Sequence, residues 1–452
     1  MATLGLSMIT RNEMHTLPAC LKSVQGLVSQ IVIADTGSTD RTHEVAAELG
    51  ATIISVPWEN HYAQARNAAL QHMTTDWVLS LDADEELDPE AKTHLPGMLG
   101  AKNISAYMLT IRDYMPGKSS YYLDRLAKTN DSGIERARLA GSFHDQQTIR
   151  LFRRDPEIYY IGRVHELVEY RICSLGLQFL PAPLLIHHFG HLRGKEVRDG
   201  KNLLYRQLGQ MKVKEEADNP FAWFELGLLE YQAFHDSDAA LRCFRKVVEL
   251  HPPFTRAWLF IAMIEVEKGR PGDALTTLQH TENTTEAAGL RERVKGDALH
   301  NLGRMAEARA CYQRALELNG PDPMILSKLG YTEVRLGQWQ EGLAKLNSAV
   351  EAVPQQVEIH DRLVKAHILT GNLEEAASAA ERFAACIRHP KTFLRAASIR
   401  AQLQQWDRAQ LLLTQGLEFF PDSPELRGAT MEISTQKTTG LQDPTLVVTG
   451  AR

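Results

Sequence analysis

Small residues recur through the second half of the chain at a fixed spacing, which constrains the fold more than any other feature. Ala240, Ala274, Ala308, Gly342, Ala376 and Ala409 stand 34, 34, 34, 34 and 33 residues apart. A second register, Gly227, Ala262, Gly296, Gly330, Val364 and Ala397, keeps intervals of 35, 34, 34, 34 and 33. Each position falls in an amphipathic stretch of helical spacing, so one period makes one pair of helices. Two helices approach closely only where side chains are small, and bulky neighbours such as Trp223, Leu226, Phe244, Leu346 and Leu413 fill the remaining space. Pro252, Pro354 and Pro421 end second helices of the pairs. A single pair cannot bury its apolar face, so six pairs over 219–424 are expected to stack into one continuous superhelix with a concave groove. Residues 425–452 lack apolar periodicity and are expected to fray as a flexible tail.

The W-x-x-L-G at 223–227 and the A-x-x-x-F at 240–244 resemble the tetratricopeptide repeat. A repeat fold does not name its ligand. An acceptor or protein partner in the groove, self-association, and a purely structural role all remain open.

The 452 residues leave room for a second large domain. With 44% hydrophobic and 23% charged residues the chain is ordinary globular material. Its net charge of −6 supplies no basic footprint, which places nucleic acid outside the expected partners. Five cysteines without CxxC spacing suggest neither a disulfide framework nor structural zinc, and fit a reducing compartment. The start has no basic leader and no run reaches 18 apolar residues. A cytoplasmic protein without a transmembrane segment is expected, with peripheral contact at the inner face of the membrane left open.

In the first half, short runs rich in β-branched residues at 3–10, 30–35, 51–56 and 77–82 alternate with helical stretches at 16–28, 39–50, 61–74 and 87–100. This alternation predicts an α/β domain over 1–205, with a parallel sheet covered by helices on both faces, and a helical junction over 206–218. Ligands of such sheets bind beyond the carboxyl ends of the strands. The polar residues there are Thr10, Asn12 and Glu13 after the first strand, Asp35 with its Gly37-Ser38 turn after the second, and Asp82 and Asp84 after the fourth. Asp35 suits a hydrogen bond to a nucleobase or ribose, or else only braces its own turn. Asp82-Ala83-Asp84 places two carboxylates where a pleat breaks, as hard oxygen ligands for Mg²⁺ or Mn²⁺ on a diphosphate.

SMITRNE, IVIADTGSTDRT, AQARNAAL and LSLDADEEL, in this order and spacing, resemble the GT-A fold glycosyltransferases of family 2, and the branch that carries a tetratricopeptide array behind the transferase domain. The resemblance implies that Asp35 contacts the base, Asp82 the ribose, Asp84 the metal, and Arg66 the nucleotide or its diphosphate. Arg66 otherwise reads as a helix-surface cation. It also implies a nucleotide-sugar donor, inversion at the anomeric carbon, and a glycan, lipid-linked or peptide acceptor.

An inverting displacement needs a base for the acceptor proton. Glu166, with His165 beside it, is the expected base; Asp145 is the next candidate. The pair at 165–166 also reads as exposed polar residues or as supports for an acceptor loop. In related GT-A enzymes such a base precedes a metal-binding histidine by some two dozen residues, and His188 follows Glu166 by 22. His188 matches the H-aromatic-G pattern better than His187. Arg150 and Arg153 are read as a diphosphate clamp or as solvent-facing cations, and Glu85 and Glu86 as loop acids. The competing readings are an inactive repeat scaffold that binds nucleotide or a protein partner, and a nucleotidyltransferase, whose glycine- and lysine-rich loop MITRNEMHT lacks.

Overall fold

A computed structural model describes residues 2–117, 121–122 and 125–439. They divide into two compact units, 1–251 and 252–452.

The first unit is built on a mixed sheet. Its strands are β1 (Leu4–Thr10), β2 (Gln30–Asp35), β3 (Thr52–Ser55), β4 (Trp77–Ser80), β5 (Glu85–Leu87) and β6 (Ala106–Met115). After a short ribbon of β7 (Tyr121–Tyr122) and β8 (Arg125–Leu126) come β9 (Lys128–Thr129), β10 (Ser142–Arg153) and β11 (Phe179–His188). The order across the main sheet is β3-β2-β1-β4-β10-β6-β11-β5, with β9 beside β10. β1 to β4 are parallel, as the alternation predicts. The rest departs from the wholly parallel expectation, because β10 runs antiparallel to both β4 and β6, and β5 antiparallel to β11.

Helices α1 (Leu17–Ser23), α2 (Thr42–Glu48), α3 (Tyr62–Gln71), α4 (Ala91–Leu99) and α5 (Glu169–Ser174) cover the sheet. Side chains alternate along each strand, so the two faces build separate cores. Leu4, Leu6 and Met8 meet Leu17, Leu21 and Leu95 on one face, and Val32, Val78 and Ile149 meet Ala63, Ala69 and Ile172 on the other.

The expected boundary at 205 lies inside one uninterrupted helix, α6 (Lys195–Glu215). No breaker stands there, and Val213 on α6 joins Ala222, Leu226 and Cys243 of the first repeat in a single cluster. That repeat, α7 (Pro220–Gln232) with α8 (Ser237–Leu250), therefore belongs to the first unit.

The second unit contains α9 (Thr255–Glu267), α10 (Pro271–Leu278), α11 (Ala288–Asn301), α12 (Met305–Asn319), α13 (Pro323–Arg335), α14 (Trp339–Ala352), α15 (Val357–Leu369), α16 (Leu373–Cys386), α17 (Pro390–Gln402), α18 (Trp406–Phe419) and α19 (Pro424–Thr439). Starts are chemically marked: Asp322 accepts from the Met324 and Ile325 amides ahead of α13, and Pro323 occupies the first turn, where no donor is lost. All twelve small positions of the two registers are buried. The backbones of α13 and α14 nearly touch; a Cβ on Gly342 would lie 2.5 Å from the Gly330 carbonyl. Gly342→Ala gains up to about 1 kcal/mol of helix propensity, but the rigid carbonyl forces the pair apart. A net loss of about 1–3 kcal/mol is expected, read as a lower urea midpoint for the array.

Residues 424–439 do not fray. Leu426, Ala429 and Ile433 are buried against the last repeat, a spacing of three and four that makes α19 its cap. Residues 440–452 of the expected tail lie outside the described residues. The five cysteines are free, and among the described residues no helix is long and apolar enough to cross a membrane.

Candidate functional site

β2, β1 and β4 are neighbours and parallel, so Thr10, Asp35 and the Asp82-Ala83-Asp84 turn come together along one sheet edge. β11 approaches from the other side, where its register places His188 opposite both Asp113 of β6 and Glu85 of β5.

Asp82 follows β4 and keeps about a third of its side chain exposed. Arg66 of α3 donates to it at 2.7 Å through Nη2 and to Glu166 at 2.6 Å through Nε. Arg66 is thus a buried bridge between a strand-end carboxylate and the loop carrying Glu166, not a surface cation. Burial opposes ionisation of Asp82, but Arg66 and Arg150 outweigh it and hold the carboxyl well below its usual range. Arg150 sits where the β10 register shifts between Ile149 and Leu151, an irregularity that aims its guanidinium at the site. It lies 2.8 Å from Glu85 and 3.7 Å from Asp82.

Asp84 faces His188, with Oδ2 3.7 Å from Nε2. The His188 Nδ1 bonds to Asp113, which fixes the ring with Nε2 towards Asp84. Burial would lower the imidazole, yet its bond to Asp113 and the facing Asp84 carboxylate push it up to about 10. Burial would likewise raise Asp84, but His188 and Arg193 bring it down to about 2. Gly190 keeps the space between them open: a Cβ there would lie 2.5 Å from His188 Nε2 and 2.8 Å from Asp84 Oδ2. Two metal–ligand bonds of about 2.1 Å can span a gap of this size. His191 offers a further nitrogen, and the ligand atoms of Asp113, His188 and His191 all lie within 4.8 Å of one another. The carboxylates of this set suit a hard cation and its imidazoles a transition metal.

Other expected residues take different places. The Thr10 hydroxyl is buried with no hydrogen-bond partner among the described residues, so a polar acceptor or donor is wanted there. Asp35 accepts from the Gly37 and Ser38 amides at 3.0 and 2.9 Å and from the Ser38 hydroxyl, and His43 lies 2.9 Å away. Its carboxylate braces the turn. Asn12 has φ +56°, takes the Thr39 amide on Oδ1, and so ties the first strand end to the second. Glu13 is paired through both oxygens with Arg193, which also lies 3.1 Å from Asp84.

Arg153 does not join the cluster. β10 runs antiparallel, so Arg153 pairs with Trp77 at the start of β4, where it donates to the Ile104 and Ala101 carbonyls and stacks on the Trp77 ring. His165 is exposed in a left-handed turn at φ +53°, its ring edge-on to Tyr205 of α6 at 5.5 Å. Asp145 is held by Arg112 at 2.8 Å and Lys128 at 3.0 Å. His187 is buried between Tyr114 and Asp88, which leaves His188 as the member of the pair that faces Asp84.

Reading strand ends missed Asp113, His191 and Arg193, and took Glu85, buried in β5, for a loop acid. Glu85 is buried and accepts from the Asp82 amide at 2.8 Å as well as from Arg150, so it is an internal brace, and burial raises it to about 7. Its position three residues after Asp82 is the one local signal; the other three depend on β6 and on the turn after β11.

The family model for glycosyl transferase family 2 matches residues 6–159, and two tetratricopeptide models match 236–332 and 327–390. A TPR repeat-containing protein of Synechococcus elongatus is 31% identical over 312 residues, 67% of this chain and 69% of that one. An uncharacterized glycosyltransferase of Rickettsia felis is 32% identical over 108 residues, 24% of this chain and 38% of its own. The glycosyltransferase SunS of Bacillus subtilis is 22% identical over 262 residues, 57% of this chain and 56% of its own. The domain match and the two relatives named as glycosyltransferases support glycosyl transfer.

Proposed function

This chain belongs to the family 2 glycosyltransferases that carry a tetratricopeptide array, and from that premise we propose a metal-dependent, inverting transfer of a sugar from a nucleotide-sugar donor to a saccharide, lipid-linked or peptide acceptor in the cytoplasm. The observation that carries the metal dependence is the facing pair of Asp84 and His188 with the gap that Gly190 keeps clear.

Each side chain has a task its position allows. The Thr10 hydroxyl and the Asp35 turn meet the nucleoside, and Asp82 the ribose. Arg66 and Arg150 set positive charge beside Asp82, where it favours a diphosphate. Asp84 and His188 would hold Mn²⁺ or Mg²⁺, which would supply positive charge beside the departing nucleoside diphosphate. Glu166 takes the proton of the acceptor nucleophile; Arg66 fixes its carboxylate, and His165 shapes the loop before it.

A thermal-shift panel of nucleotide sugars with and without Mn²⁺ tests this reading. A donor at about 100 times its Kd adds about 2.7 kcal/mol to apparent stability. At least one nucleotide sugar is expected to raise the melting temperature in a Mn²⁺-dependent way, and Gly190→Ala, whose methyl fills the gap, is expected to remove the Mn²⁺-dependent part. A full panel without a Mn²⁺-dependent shift contradicts the assignment.

A further inference from the structure

Helix α6 has two partners. On one side Gly209 and Val213 meet the first repeat: a Cβ on Gly209 would lie 3.2 Å from Leu226, and Val213 packs with Ala222, Leu226 and Cys243. Tyr205, Lys212 and Glu215, seven and three residues apart, fall on a neighbouring stripe of the helix and meet the loop that presents Glu166. The Tyr205 ring stands edge-on to His165, Lys212 Nζ donates to the Val164 carbonyl at 3.1 Å, and Glu215 accepts from Arg163 Nε at 2.9 Å. One rigid element is therefore shared between the loop of the expected base and the first repeat.

Lys212 is the side chain that touches both. It is 3% exposed, and its ammonium also donates to Glu225 Oε2 of α7 at 2.8 Å. A buried lysine needs partners, and here they come from the loop on one side and the repeat on the other. The loop is tightly bent. Ile161 and Leu167 exchange amide-to-carbonyl bonds at 3.1 Å, and between them Gly162 and His165 have φ of +111° and +53°. Val164 is buried inside this bend, so its carbonyl needs a donor, and Lys212 supplies it. Glu166 follows two residues later with its carboxylate on Arg66. Arg66 of α3 thus grips the carboxylate, and Lys212 of α6 grips the backbone behind it.

We propose that Lys212 is a positioning residue for the transfer, through which the first repeat becomes part of the frame that holds Glu166 at the reacting centre. The inference rests on Glu166 being the base. A misplacement of about 1 Å costs about 10²-fold in rate, which sets the scale of the effect.

The test compares Lys212→Met, which keeps the apolar stem and removes both bonds, with Val213→Ala, which opens a cavity on the repeat side of the same helix and leaves them in place. Steady-state kinetics and amide hydrogen exchange are read on the full chain. Lys212→Met is expected to lower kcat by about 10- to 100-fold with donor KM within about twofold of the wild type, and to speed exchange at the Ile161 and Leu167 amides. Val213→Ala is expected to lower the melting temperature while keeping both kcat and the exchange at those amides. Glu225→Ala, which takes the carboxylate away from the repeat side, is expected to move both readouts in the direction of Lys212→Met. Wild-type kcat or unchanged exchange at 161 and 167 in Lys212→Met overturns the proposal. So does a fall of kcat in Val213→Ala as large as that in Lys212→Met, since Lys212 would then act only through general stability. A Glu225→Ala variant indistinguishable from wild type overturns the part given to the repeat. A wild type that transfers no sugar contradicts the transferase reading itself, and the exchange readout, which needs no turnover, tells that failure from failure of the Lys212 anchor.

Discussion

Asp84→Ala is expected to lower metal-dependent sugar transfer by about 10³-fold or more. A carboxylate that holds a cation beside a departing diphosphate supplies several kcal/mol that exists only as charge develops, and each 1.36 kcal/mol is about tenfold in rate. The fold should survive. His188 keeps Asp113, and Arg193 keeps both oxygens of Glu13, so neither neighbour is left a lone buried charge. Mn²⁺ binding by titration calorimetry and release of nucleoside diphosphate are the two readouts, and both should fall together. Loss of activity with unchanged Mn²⁺ affinity would place the metal elsewhere, with His191 and Asp113 the first positions to examine.

Glu166→Gln is expected to cut kcat by about 10²- to 10⁴-fold with little change in donor affinity. The amide keeps the size of the side chain and an oxygen for Arg66 Nε, but it cannot accept the acceptor proton. A side chain that merely steadies the Arg66 bridge would instead show weaker donor binding, because Arg66 also holds Asp82. The split between kcat and KM therefore separates the two roles. Asp145→Asn should leave kcat nearly unchanged, since Arg112 and Lys128 already occupy the Asp145 carboxylate.

Much of this architecture is legible from spacing alone. The period of 34 finds the close approach at Gly330 and Gly342, where a Cβ on either would run into the other's carbonyl. The strand ends are legible because parallel neighbours must bring Thr10, Asp35 and Asp82 to one edge. The strands beyond β4 are harder to place, since a run of apolar residues does not reveal its direction. Arg150 and Arg153 look equivalent as a pair, and only the antiparallel course of β10 separates them. Glu13 and Asn12 look available for a ligand until the partners from distant segments, Arg193 and Thr39, are in place. Asp113 and His191 become part of the site through the pairing of β6 with β11, a contact no local pattern encodes. The same limit hid α19, whose three buried apolar residues are too few to register as a period yet enough to cap a helix already present.

Incubation of the purified chain with a panel of nucleotide sugars and Mn²⁺, followed by chromatography of the nucleotide products, tests the transferase assignment most directly. Release of a nucleoside diphosphate, dependent on Mn²⁺ and lost in Asp84→Ala, is the expected result. Donor binding without turnover for any acceptor offered would make the chain a nucleotide-binding scaffold, and release of pyrophosphate would make it a nucleotidyltransferase; either contradicts sugar transfer.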